Sequence, residues 1–215
     1  LEQLRDLVKK YDLYLLADEV YREYVYSDQP YVSAMHLEGI EDNVVMIDSV
    51  SKRYSECGIR IGALITRNAA LRAAVMKFAQ ARLSPPLIGQ VVAEASIDTP
   101  QAYHKAVYDE YIARRNCLVE GLNRIPGVYS PMPMGAFYTV VSLPVDDSDA
   151  FCQWCLEKFS YEGETVMMAP ATGFYATKGA GKNQVRMAYV LKIDDLKRAL
   201  VVLEKALEEY NKAGK

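Results

Sequence analysis

Residues 44–66 read VVMIDSVSKRYSECGIRIGALIT, and this stretch decides the fold. VVMI (44–47) is a short, unbroken apolar run that ends in Asp48 and Ser49. A run apolar on both faces suits a strand buried between layers of helices, as in a parallel α/β sheet. IGALIT (61–66) is a second run of the same kind, and Gly58 breaks the connection between the two. A parallel crossover needs a packed helix of about a dozen residues or more, so the later strand is expected to run antiparallel to the earlier one.

Working outward, LYLLA (13–17) is a further strand-like run, ending in Asp18. Ahead of it, Leu1, Leu4, Leu7 and Val8 are spaced as one face of a helix over residues 1–11. Ligands of open parallel sheets lie in the crevice outside the carboxyl ends of the strands. ADEVYREY (17–24) and DSVSKRYSECGIRIG (48–62) are the polar segments at those ends. An antiparallel strand at 61–66 returns its own start to the same crevice. Asp18, Tyr21, Ser49, Lys52 and Arg60 are therefore expected around one pocket.

Those residue types suit a particular chemistry. A partly desolvated lysine loses proton affinity and can condense with a carbonyl. An aspartate facing a pyridine nitrogen keeps it protonated, so the ring accepts electrons, and pyridoxal phosphate needs both groups. A guanidinium beside small hydroxyls suits a phosphate, because its planar fork holds two oxygens at once. Taken singly, each residue has a plainer reading. Lys52 is then a surface lysine, Asp18 a helix cap and Arg60 a surface partner of Glu56. Ser51 competes with Ser49 for the phosphate, and Tyr24 and Tyr138 read as core packing before cavity lining.

Downstream, helices are expected over 69–82 and 87–98, separated at Pro85-Pro86, and over 100–124, between Thr99-Pro100 and Pro126-Gly127. The texture then changes. GAFYTVV (135–141), TVMMA (165–169) and QVRMAYV (184–190) read as strands, with helices near 147–160 and at 193–212. This is the pattern of a second, α+β domain.

Composition sets limits. The 215 residues are 51% hydrophobic and 25% charged, with 25 basic against 28 acidic side chains, which is too apolar for disorder. With no block of like charge, nucleic acid and a polybasic membrane contact are not expected as partners. No apolar run approaches the ~20 residues of a spanning helix. The opening LEQLRDLVKK has no signal-peptide layout and there is no Asn-x-Ser/Thr site, so a cytoplasmic protein is expected. Cys152 and Cys155 form one C-x-x-C within a helical segment, best read as two small residues on one face. His36 and His104 stand far apart in the chain, so no metal is expected. GAGK (179–182) lacks the earlier glycine and the Ser/Thr of a phosphate loop.

ADEVY, then SVSKRYSECGIRIG, then GAFY (135–138) and NQVRMAY (183–189) together resemble the class I/II aminotransferases, the fold-type I pyridoxal phosphate enzymes, and their aspartate aminotransferase branch in particular. The resemblance implies that Lys52 carries the cofactor as a Schiff base and shuttles a proton between it and the substrate's alpha carbon. It further implies that Asp18 pairs with the pyridinium nitrogen and Tyr21 with the phenolate oxygen. Ser49 and Arg60 would hold the phosphate, and Arg186 would clamp the substrate's carboxylate. The implied reaction moves an amino group between an amino acid, aspartate-like, and a 2-oxo acid, in a homodimer. The same motifs serve carbon–sulfur lyases and synthases on that scaffold, and aminotransferase-like sensor domains. The family's chain is roughly twice this length, so an incomplete chain is expected, inactive by itself. Its residues 1–99 would be the C-terminal part of an incomplete, mostly parallel large-domain sheet, 100–124 a connecting helix and 125–215 the small domain.

Overall fold

The computed structural model describes residues 1–212 and Gly214. It divides into two compact units, Leu1–Lys105 and Ala106–Lys215, and each is described by itself.

In the first unit, helix α1 (Glu2–Tyr11) ends where Asp12 adopts a left-handed conformation and its N–H closes on the Val8 carbonyl. Of the apolar face expected on α1, only Val8 is buried, while Leu1, Leu4 and Leu7 stay exposed. Strand β1 (Leu15–Asp18) runs parallel to β2 (Val44–Ser49), and β2 pairs antiparallel with β3 (Gly62–Ile65). The order β1-β2-β3 places β2 in the middle, which is why Val44, Val45 and Met46 are its buried residues. Val8, Ala34, Leu37, Ile40 and Val44 form one core cluster, with Leu15, Ala17 and Met35 packed on it.

The outer strands depart from the expectation of burial on both faces. Leu16 on β1 is 68% exposed, and Leu64 on β3 is also open. Helices α3 (Ala69–Arg82) and α4 (Leu87–Ala95) follow β3, and α3 contains no buried residue. A 3₁₀ turn, Ser96–Asp98, takes the place of the last helical turn expected on α4. The Ser96 hydroxyl there meets both Glu56 Oε1 (2.7 Å) and the Val92 carbonyl (2.8 Å).

The division between the units falls within α5 (Gln101–Leu122). In the second unit, the antiparallel sheet β4-β6-β5 is built from Tyr138–Ser142, Gln184–Ala188 and the two-residue Ala169–Pro170. Alternation is strict on β6: Val185 and Met187 face the core, Arg186 faces out. The strand expected over 165–169 is thus short, because pairing begins only at Ala169. Helices α6 (Ser148–Glu157) and α7 (Ile193–Lys212) supply the rest of the core. Phe151, Trp154, Phe159 and Tyr210 make an aromatic cluster, with the Phe151 and Tyr210 rings 5.0 Å apart edge to face. The α5–α7 contact depends on Gly121, since a Cβ there would overlap Leu200 Cδ1.

Candidate active site

The polar ends of β1 and β2 stand next to each other because the parallel register pairs Asp18 with Ile47. One further hydrogen bond, from the Glu19 N–H to the Ile47 carbonyl (2.9 Å), carries the pairing past Asp18. Asp18 is exposed, and its Oδ1 accepts the Val20 N–H at 3.3 Å. Glu19 turns the other way and is buried. Its Oε1 accepts the Ser33 hydroxyl and the Ala34 N–H (3.0 and 2.8 Å), while Oε2 has no partner. Beside it, burial and the neighbouring Glu19 carboxylate hold the Tyr31 phenol above its ordinary range.

Ser49 stops β2 and starts α2 (Val50–Arg53). It has extended backbone angles, and its hydroxyl accepts the Ser51 N–H at 3.1 Å, as a helix cap does. The same hydroxyl meets Ser51 Oγ at 2.8 Å and the Ile61 carbonyl at 2.9 Å. Lys52 lies on this single helical turn. Its Nζ is 5.9 Å from the centre of the Tyr21 ring, and its carbonyl accepts the hydroxyl of buried Tyr24 at 2.8 Å. Two segments well separated in sequence are thereby fastened to each other.

Arg60 takes a left-handed conformation (φ 60°) just before β3 and donates from Nη1 to the Cys57 carbonyl at 2.8 Å. Among the described residues Arg60 makes no ion pair with Glu56, whose Oε1 accepts the Ser96 hydroxyl instead. Ser49, Ser51 and Arg60 line one open cleft of about 670 Å³, whose apolar side is formed by Ile61, Phe78 and Leu83. Two groupings result: Lys52 with Tyr21, and Ser49, Ser51 and Arg60 along the cleft, with Asp18 at the adjoining strand end.

Arg186 belongs to the second unit. Its guanidinium lies over the rings of Tyr138 (4.7 Å) and Phe174 (5.0 Å), at the rim of an apolar groove that includes Leu118, Met167, Leu200 and Leu203. Phe174 and the buried Glu19 escaped the sequence reading. An aromatic in an irregular loop and a carboxylate beside the motif aspartate carry no periodic signal to expose them. Four charged residues beside Tyr21, Ser49 and Lys52 escaped it for the same reason.

Residues 1–203 match the family described as aminotransferase class I and II. The chain belongs to this family. Its aminotransferase relatives include an aspartate aminotransferase of Rhizobium meliloti, 28% identical over 90% of this chain and 48% of that protein. Another, from Pyrococcus horikoshii, is 28% identical over 95% of this chain and 51% of the relative. Among solved structures, the aspartate aminotransferase of Thermotoga maritima superposes with a TM-score of 0.81 at 28% identity, covering 96% of this chain and 51% of that one. The α-aminoadipate aminotransferase LysN of Thermus thermophilus, solved with N-(5'-phosphopyridoxyl)-L-leucine, shares the fold at a TM-score of 0.83 and 24% identity, over 97% and 53% of the two chains. The mixed α/β architecture is thus that of an aminotransferase. The chain spans about half the length of the curated relatives it matches. No helix among the described residues is long and apolar enough to cross a membrane.

Proposed function

We propose that this chain is the C-terminal half of a pyridoxal phosphate-dependent aminotransferase that moves an amino group between an amino acid, aspartate-like, and a 2-oxo acid. The observation that carries this reading is the Lys52 amine over the Tyr21 ring, on the one helical turn capped by Ser49 at the carboxyl end of the central strand.

The donor set fits the cofactor. Asp18 offers a carboxylate for the pyridine nitrogen, Tyr21 a phenol for the ring oxygen, and Ser49, Ser51 and Arg60 hydroxyls and a guanidinium for the phosphate. When bound, pyridoxal phosphate supplies an electron sink for the pair released when the substrate's alpha C–H bond breaks. Lys52 Nζ would hold the cofactor through its aldehyde carbon and would serve as the base that takes and returns the alpha proton. Asp18 would keep a proton on the ring nitrogen. Arg186, which lies over the rings of Tyr138 and Phe174, would on the family resemblance offer its fork to the substrate's carboxylate. On the family resemblance we assign the complete protein to the cytoplasm as a homodimer. On the same resemblance the large domain includes residues 1–99, the connecting helix 100–124 and the small domain 125–215.

The experiment is covalent trapping. The chain is mixed with pyridoxal phosphate, reduced with borohydride, digested and weighed by mass spectrometry. A phosphopyridoxyl group is expected on Lys52 and absent from Lys52→Ala. Equal labelling across several lysines would overturn the assignment.

A further inference from the structure

Four charged side chains close a ring beside the proposed cofactor site, and one of them, Asp48, also lines the cleft of Ser49 and Arg60. Asp48 Oδ2 lies 2.9 Å from Arg22 Nη2 and 2.9 Å from Arg53 Nη2. Glu23 Oε1 lies 3.0 Å from Arg53 Nε, as an ion pair without an aligned hydrogen bond, and 3.7 Å from Arg22 Nε. The charges alternate around the circuit Asp48, Arg53, Glu23, Arg22, so the ring as a whole is neutral. Asp48, Arg53 and Arg22 are well shielded, at 14, 18 and 25% side-chain exposure.

The place of the ring along the chain gives it meaning. Arg22 and Glu23 follow Tyr21, Asp48 precedes Ser49, and Arg53 follows Lys52. Each of these three site residues therefore has a ring member as its covalent neighbour. Asp48 also accepts the Ser49 N–H on Oδ1 at 2.8 Å, so one carboxylate reaches both the ring and the helix cap. A surface ion pair alone contributes little, but a shielded network that fixes geometry behaves differently. Removing Asp48 would leave two partly buried guanidinium groups sharing the more exposed Glu23 alone, and so under-compensated.

We propose that Asp48, through its ring with Arg22, Arg53 and Glu23, is a positioning residue that holds the Lys52 turn against the Tyr21 loop. Its carboxylate borders the cleft of Ser49 and Arg60, and its part is to hold the turn rather than to bond cofactor or substrate. The inference rests on the cofactor-site reading above. It adds that the angle between the Lys52 amine and the Tyr21 phenol is set by charge pairing, in addition to the Tyr24 hydrogen bond.

The test compares Asp48→Asn, Arg22→Gln and Arg53→Gln with the parent chain. Each is mixed with pyridoxal phosphate and quenched with borohydride at timed intervals, and label on the Lys52 peptide is followed by mass spectrometry. A circular dichroism melt accompanies each variant. Positioning predicts that all three slow labelling about tenfold, because a small misplacement of a reacting group has effects of that size or larger. It also predicts that Asp48→Glu recovers most of the rate. An electrostatic influence alone would act with opposite sign. Loss of the anion would favour the neutral amine and speed labelling, and loss of a cation would slow it. Opposite signs, or parent-like rates in folded variants, would overturn the proposal. Should Asp48→Asn fail to fold, the arginine variants and Asp48→Glu decide, each read against its own melt. A parent chain that takes no label at Lys52 would sink the cofactor-site reading itself; a labelled parent with unaffected variants would sink the ring alone.

Discussion

The two units solve the burial problem differently. The second has a closed interior: Val141, Phe151, Val185 and Tyr189 are completely enclosed between its sheet and α5, α6 and α7. The first carries the proposed chemistry on a sheet whose outer strands expose Leu16 and Leu64, and its segment from α3 through α4 displays Phe78 (76% exposed), Leu83, Leu87 and Ile88. The lesson is that the residues proposed to bear the chemistry are organised by strand ends, caps and ion pairs, which need little core. The second unit is organised by volume.

Several outcomes would break or sharpen this contrast. The largest effect is expected from Phe151→Ala, at about 3–5 kcal/mol of destabilisation, because the ring is enclosed on all sides. Phe78→Ala in the first unit is expected to fall within about 0.5 kcal/mol. Urea unfolding followed by Trp154, the single tryptophan, reports the first of these, and circular dichroism the second. Equal effects would erase the distinction. Next comes Gly121→Val, expected to cost about 1–3 kcal/mol by forcing α5 and α7 apart at Leu200, again read by Trp154. Tyr24→Phe removes only the hydroxyl that meets the Lys52 carbonyl. A loss of about 1 kcal/mol is expected, together with slower cofactor labelling at Lys52.

The smallest effect at neutral pH concerns thiols. Burial pushes Cys152 up to about 11 and Cys155 up to about 12, so both stay protonated. A thiol reagent at neutral pH should modify exposed Cys57 first and these two only on unfolding. The sign with pH follows. Their contribution to stability is complete below the unfolded value of about 8.5 and is lost as pH climbs through 11–12, because the unfolded chain releases its protons first. A second-unit melting temperature that rises over that interval would contradict this.

Much of the site was legible because its residues end strands. Asp18 and Ser49 close apolar runs, and a connection too short for a parallel crossover implied the antiparallel β3 that returns Arg60 to the Ser49 cleft. The ring of Arg22, Glu23, Asp48 and Arg53 was not legible. Any of these charges would be equally at home in water, and nothing local says which meets which. The exposed faces of Leu4, Leu7 and Leu16 were misjudged for a related reason: an apolar residue states that it can be buried, and only a neighbour decides whether it is.

By itself, the sequence determined the order of helices and strands, the family, and which residue types could serve a pyridine ring, a phosphate and a carboxylate. Those follow from short-range periodicity, capping and the chemistry of single side chains. Only the tertiary structure decided that Tyr24 ties down Lys52, that Arg186 lies over the rings of Tyr138 and Phe174, and that one carboxylate joins three segments. Such pairings depend on distances of a few ångströms between residues remote along the chain. Chain closure and packing set those distances, and no local pattern encodes them.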